Sequence, residues 1–257
     1  MKAALVTGCS AGGTGYAIVK SFQRRGFHVF ATARDLSKMT GLEKLANVTL
    51  LKLEITSSDD IKAAVAAVEK SGHSLEYLVN NAGAAPCMPA LDVDIAGGHA
   101  VFETNFWGTL SMCQAFVPML IEQKGCIVTI NSVNSFLYPT WMSMLIMPGD
   151  DDSSLVHTTS NASRSTDTVA GMYNAAKAAQ RAMLETMRAE LEPLGVRVLT
   201  VVAGALDTQI MSRQAGTFTL PEHSLYKSIE AQIRFRSEGE EKVPRMNADT
   251  FAEVSAC

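Results

Sequence analysis

A chain of 257 residues, 47% of them hydrophobic, can bury one substantial core, and α/β folds of this size are commonly a single domain. The formal charge of −4 is mild and spread along the sequence, so no basic cluster points to nucleic acid or to an anionic membrane surface. Five cysteines without paired spacing and a few scattered histidines argue against a disulfide framework and against a metal site.

Apolar, strand-like runs fall at 3–7, 27–32, 48–53, 77–79, 126–131 and 196–202. Helical periods fill 15–25, 58–70, 100–123 and 171–191, with a weaker one at 36–46. Strands that alternate with helices, without hairpin signals between them, predict an α/β fold: a doubly wound parallel sheet in a single Rossmann-like domain. The first run, Ala3-Ala4-Leu5-Val6, leads into Thr7-Gly8-Cys9-Ser10-Ala11-Gly12-Gly13-Thr14-Gly15 and then into a helix. Strand, glycine turn and helix form the first half of a βαβ unit, where free N–H groups and a partial positive charge receive a phosphate. The glycines let the backbone approach a pyrophosphate that a Cβ would keep away.

Near the other end, Tyr173 and Lys177 stand four apart in a helical run and so leave the same face. An ammonium beside a phenol favours the phenolate and is expected to lower the phenol pKa toward a usable range. The strand run from 27 ends at Ala33-Arg34, without the carboxylate that would bind a ribose 2′-hydroxyl. A guanidinium there suits a 2′-phosphate, so NADPH is the expected cofactor.

The glycine turn and the Tyr173/Lys177 pair make the chain resemble the short-chain dehydrogenase/reductase family, from residue 1 to about 210. Asn80-Asn81-Ala82-Gly83, Asn105 and Ser132 occur in the family's order. Within the family, Gly12-Gly13 before Thr14-Gly15 and the run Phe30 to Arg34 look like the fungal 1-acyldihydroxyacetone-phosphate reductase-like group, which also holds reductases of secondary metabolism. The resemblance implies reduction of a carbonyl, or oxidation of the alcohol, by hydride transfer. Tyr173 would be proton donor, Ser132 would hold the carbonyl oxygen, and Lys177 would bond the nicotinamide ribose. A water on Asn105 would link Lys177 to solvent. Ser132 as a strand-end cap, and Asn105 as a backbone partner at a helix bend, are the plainer alternatives. The cofactor would rest on Gly8, Ser10, Gly12, Gly13, Gly15, Arg34, Glu54, Asn81, Ala82, Gly83, Tyr173, Lys177, Gly204 and Thr208. Glu54 stands where the family often has Asp. A catalytically weak or inactive nucleotide-binding paralogue is the second reading.

Two departures stand out. Ser132 precedes Tyr173 by 41 residues, where the family has about 13. The surplus at about 142–170 is rich in Gly, Ser, Thr and Asp and reads as a polar insertion, either a substrate lid or a translated intron. It holds Ser160, a distant second candidate for the catalytic serine. The family's last strand has no counterpart after the late helix around Phe251, which would leave the strand at 196–202 near an edge. A substrate-binding segment is expected at about 208–250. Ile210, Met211, Phe218, Leu220, Leu225, Tyr226, Ile229, Ile233 and Phe235 suit core, dimer contacts or a pocket for a lipid-like or polyketide-like carbonyl. No stretch of about 18 apolar residues is present, and the first strand begins too early for a signal peptide. A cytoplasmic protein is expected, with peripheral lipid association and homo-oligomers left open.

Overall fold

The computed structural model describes residues 1–136, 171–208, 218–238 and 244–255. The expected insertion with Ser160, together with Ile210, Met211 and Cys257, lies outside the described residues.

Six strands form one parallel sheet. They are β1 (Lys2–Val6), β2 (His28–Ala33), β3 (Val48–Lys52), β4 (Ser74–Asn80), β5 (Cys126–Ser132) and β6 (Arg197–Ala203), in the order β3-β2-β1-β4-β5-β6. The order reverses direction between β1 and β4, so a crevice opens at their carboxyl ends. Helix α1 (Thr14–Arg24) covers one face, and α2 (Ser58–Ser71), α4 (Gly108–Gln123) and α5 (Gly171–Leu191) cover the other.

The strands are apolar throughout because both faces are covered. Ala4 and Val6 turn into the α1 core with Ile18 and Phe22, while Ala3 and Leu5 turn into the opposite core with Phe116 and Leu120. That alternation is the strand period of two. Burying a leucine or phenylalanine of this kind contributes roughly 1.5–3 kcal/mol. Two-stranded β7 (Leu206–Asp207) and β8 (Met246–Asn247) flank the sheet. Between them lies α6 (Glu230–Ser237), and α7 (Ala248–Ser255) follows. Phe251 and Ala252 of α7 enter the α1 core, and Lys20, Arg24 and Arg25 pair with Asp249 and Glu253 along the seam. Among the described residues, β6 pairs with β5 alone, and its Leu199 and Val202 are exposed.

Two expected helices differ in detail. The weak period at 36–46 forms two short 3₁₀ turns, Leu36–Met39 and Leu42–Lys44, separated at Gly41, which has φ +95°. The period at 100–123 starts earlier, as α3 (Ile95–Phe102), and passes through a π-helical turn at Glu103–Trp107 before α4. Such a turn widens the helix locally and frees backbone groups for other partners. No helix of the described residues is long and apolar enough to cross a membrane.

Candidate active site

The glycine turn lies between β1 and α1, at the crevice. Gly8 has φ +73°, and a Cβ there would meet Ala82 Cα at 2.9 Å. A Cβ on Gly15 would come within 2.5 Å of both Gly8 O and Asn81 Nδ2. Thr7 fixes this approach from below. Its buried hydroxyl accepts from Asn81 N and Ala82 N, both at 2.9 Å, while Asn81 Nδ2 donates to Thr7 O and Gly8 O at 2.7 and 3.1 Å. The Asn81-Ala82-Gly83 segment after β4 therefore forms one wall of the turn.

Gly13 N donates to Ser10 O, closing the turn, and Gly13 precedes α1 without any side-chain cap. Helices α2 and α3, by contrast, are capped by Ser57, accepting from Asp60 N, and by Asp94, accepting from Gly97 N. An uncapped helix end with small residues around it leaves N–H groups and dipole facing outward, as an anionic group requires. The residues present fit a dinucleotide pyrophosphate.

Arg34 follows β2 and is exposed, with NH1 3.6 Å from Glu54 Oε2. Glu54 follows β3, and its N–H donates to Asp60 Oδ2 at the start of α2. Next to Arg34, Asp35 is turned into its own 3₁₀ turn, accepting from Ser37 N and Oγ, and those bonds hold its carboxyl below the usual range.

Across the crevice, Ser132 ends β5 and Tyr173 lies in the first turn of α5; their hydroxyls hydrogen-bond. Ser132 Oγ also accepts from Asn134 N at 3.2 Å, so it caps the strand end as well as meeting the phenol. Asn134 Nδ2 donates to Asn174 Oδ1 at 2.8 Å, tying the start of α5 to the β5 loop. Lys177 is buried, and its Nζ donates to Ile130 O at 2.9 Å and to Gln180 Oε1 at 3.0 Å.

One expectation needs correction here. Tyr173 is not held at a lowered pKa: burial pushes the phenol up, with only the Ser132 bond acting the other way. The Lys177 ammonium is directed at Ile130 O and Gln180, and burial pushes its own pKa down to about 8. Gln180 stands between Lys177 and Asn105. Asn105 O accepts from Gln180 Nε2 at 2.6 Å and from Thr109 Oγ1 at 3.1 Å, which occupies both lone pairs. The Asn105 side chain meanwhile pairs with the backbone of Ala84, accepting from its N–H at 2.9 Å and donating to its carbonyl at 2.7 Å. That is the backbone role at a helix bend, and the bend is the π-helical turn.

The structure thus brings Ser132, Tyr173 and Lys177 together, and places Gly8, Gly15, Asn81 and Ala82 in contact. Gly12 is exposed at the lip of the turn, and Gly83 faces Asn105 Oδ1. Gly204 and Thr208 follow β6, Gly204 with open space on its Cβ side. Of the segment expected to bind substrate, Phe218, Leu220 and Ile233 are buried against Cys87 and Met88, with Tyr226 and Ile229 beside them. Leu225 and Phe235 are exposed. Thr7, Thr109, Asn131 and Gln180 were not foreseen, since each acts through a partner distant in sequence.

The profile of the family described as short chain dehydrogenase matches residues 2–145 and 135–217. The short-chain dehydrogenase ptmH of Penicillium ochrochloron is 43% identical over 97% of this chain and 81% of its own length. The NADPH-dependent 1-acyldihydroxyacetone phosphate reductase of Schizosaccharomyces pombe is 38% identical over 88% of this chain and 68% of its own. Among solved structures, a short-chain dehydrogenase from Streptomyces avermitilis superposes with a TM-score of 0.75 at 24% identity, over 98% of this chain and 81% of that one. Another, from Burkholderia cenocepacia in complex with NADP, gives 0.67 at 21% over 99% and 82%. The chain is an oxidoreductase that belongs to the short-chain dehydrogenase family.

Proposed function

We propose that this oxidoreductase uses NADPH to reduce a carbonyl to an alcohol, with Tyr173 as proton donor. The observation that carries the reading is the Ser132–Tyr173 hydroxyl pair at the carboxyl end of β5, beside buried Lys177 and across the crevice from the glycine turn. Bound on that turn, the dinucleotide would supply the hydride. Ser132 holds the carbonyl oxygen, and the phenol of Tyr173 gives that oxygen its proton. A phenol whose pKa burial raises stays protonated through neutral pH, as a proton donor must. Lys177 has a third N–H beyond those bonded to Ile130 and Gln180, which would bond the nicotinamide ribose. Gly8, Ser10, Gly12, Gly13, Gly15, Asn81, Ala82 and Gly83 hold the pyrophosphate side, Arg34 and Glu54 the adenosine ribose, and Gly204 and Thr208 the carboxamide.

An apolar carbonyl compound, lipid-like or from secondary metabolism, suits the Phe218, Leu220 and Ile233 cluster. The Schizosaccharomyces pombe relative, a reductase of 1-acyldihydroxyacetone phosphate, supports a lipid-like substrate. The unpaired thiols of Cys9, Cys113 and Cys126 support a cytosolic setting. Tyr173→Phe tests the reading. Turnover of a good ketone with NADPH should fall by about 10²–10⁴, the usual worth of a positioned acid, while NADPH still binds. Wild-type rates in that variant would remove Tyr173 from the role. NADPH binding by the wild type without turnover of any carbonyl in a diverse panel would leave a nucleotide-binding protein only.

A further inference from the structure

Gln180 is fully buried one turn after Lys177, and all four of its amide's bonding positions are filled. Its Oε1 accepts from Lys177 Nζ at 3.0 Å and from Asn131 Nδ2 at 3.1 Å. Its Nε2 donates to Asn105 O at 2.6 Å and to Thr109 Oγ1 at 2.8 Å. The orientation of the amide is forced, because the opposite one would set NH₂ against two donors. Asn131 completes the frame: Nδ2 also donates to Lys177 O at 3.1 Å, and Oδ1 accepts from Ser132 N at 2.6 Å. One amide therefore joins the lysine, the strand end that carries Ser132, and the π-helical turn.

We propose that Gln180 is a positioning residue for Lys177, holding its ammonium in place and charged between α5, β5 and the Asn105 turn. The inference rests on the reading of Lys177 as part of the reduction site. An ammonium in an apolar interior needs acceptors in place of water, and Lys177 has two from the protein, Ile130 O and Gln180 Oε1. Ile130 O belongs to the backbone and cannot be varied, so the tunable partner is Gln180. Lys177 is the one charged side chain among the buried described residues. The other titratable groups on elements packed against α5 are Glu103, His99 and Glu192, all exposed, the buried thiol of Cys126 at the start of β5, and Arg197, exposed at the start of β6. Glu185, Arg188 and Glu190 of α5 are exposed as well. On α5 itself, Tyr173 lies one turn before Lys177, and Arg181 places its guanidinium over the Phe136 ring at 4.1 Å. No carboxylate stands beside the ammonium among the described residues. Its charged state thus depends on neutral acceptors, which makes it sensitive to the loss of one.

Two variants of the full chain separate positioning from packing. Gln180→Met keeps the volume and removes the acceptor, and Gln180→Glu keeps an acceptor and adds charge. The titration of Lys177 is followed by NMR of protein labelled at lysine ¹³Cε, with its signal assigned by disappearance in Lys177→Met. The wild-type midpoint is expected at about 8. Gln180→Met should lower it by about one pH unit and Gln180→Glu should raise it by about as much. The alkaline limb of kcat for ketone reduction at saturating NADPH should move the same way in each variant, with KM changed less than kcat. Midpoints that stay put in both variants, or that move in one common direction, would overturn the inference and leave Gln180 a packing residue. The NMR readout needs no substrate. Opposite shifts without any ketone turnover by the wild type would therefore sink the proposed reduction while supporting the role of Gln180.

Discussion

Around the glycine turn, position is set by backbone approaching backbone: Gly8 lies against Ala82, Gly15 against Gly8 O, and the side chains of Thr7 and Asn81 clamp the two loops to one another. Around Lys177, position is set by side-chain amides, with Asn131 and Gln180 reaching from strand and helix to the lysine and to the bent turn at Asn105. The first region holds shape by leaving no room for a Cβ at Gly8 or Gly15. The second holds shape by satisfying a buried charge and is tuned by anything that changes its acceptors. A change of pH should therefore reach the lysine side first, and a change of volume the glycine side.

The largest expected effect lies on the lysine side. Folded, Lys177 titrates at about 8, whereas unfolded it keeps its proton to 10.5. Between those values the unfolded chain holds more protons, so the lysine contribution to stability rises with pH across the window and is complete above 10.5. It is lost as pH falls through the folded value. Relative to Lys177→Met, the wild type should gain about 3 kcal/mol from pH 8 to 10.5, an order-of-magnitude figure. The buried thiols of Cys9 and Cys113, pushed up to about 12 by burial, act in the opposite direction. They are common to both proteins and cancel in the difference. Urea unfolding of the pair across this range is the measurement, and parallel stability curves would contradict a burdened ammonium.

On the glycine side, Gly15→Ala should cost about 1–3 kcal/mol, because its Cβ meets backbone and an amide that Thr7 and Gly8 hold in place. NADPH affinity should fall with it. Gly204→Ala, with open space around the new Cβ, should stay within about 0.5 kcal/mol of the wild type in stability. Thermal unfolding of both decides the matter, and equal shifts would erase the distinction between a packed glycine and an open one.

The two regions also differ in how far the sequence discloses them. The glycine turn and the Tyr173/Lys177 pair are local patterns, and strand-to-helix context tells what they face. The amide frame is not local: Gln180 meets Asn105, Thr109 and Asn131 across 75, 71 and 49 residues. A glutamine one turn after a lysine carries no mark of burial until the sheet order places β5 and the Asn105 turn against α5. The same reason explains why the Tyr173 pKa was expected to move down. Spacing puts the ammonium near the phenol, but Ile130 O and Gln180 decide where the ammonium points. Among the elements, 36–46 misled because Gly41 splits a helical period into two short turns, and α6 is too short for its period to stand out.

The smallest expected effect concerns cofactor choice, where the structure revises the magnitude more than the direction. Arg34 is 80% exposed and faces Glu54 at 3.6 Å, so its bond to a 2′-phosphate would be solvated and shared with a carboxylate. An exposed pair of this kind is worth about 1 kcal/mol, or roughly fivefold in affinity, well below the value for a desolvated one. Arg34→Ala should therefore weaken NADPH by about that factor and leave NADH nearly unchanged, and added salt should shrink the difference. Glu54→Gln offers the opposite probe. Removing the carboxylate frees the guanidinium and relieves repulsion of the phosphate, so NADPH should bind up to about threefold tighter. If Glu54→Gln instead weakens NADH while leaving NADPH alone, Glu54 reads the ribose hydroxyl, and this end of the site favours the unphosphorylated cofactor. Binding titrations of both variants with both cofactors at two salt concentrations distinguish these cases. They would show whether Arg34 or Glu54 sets the preference.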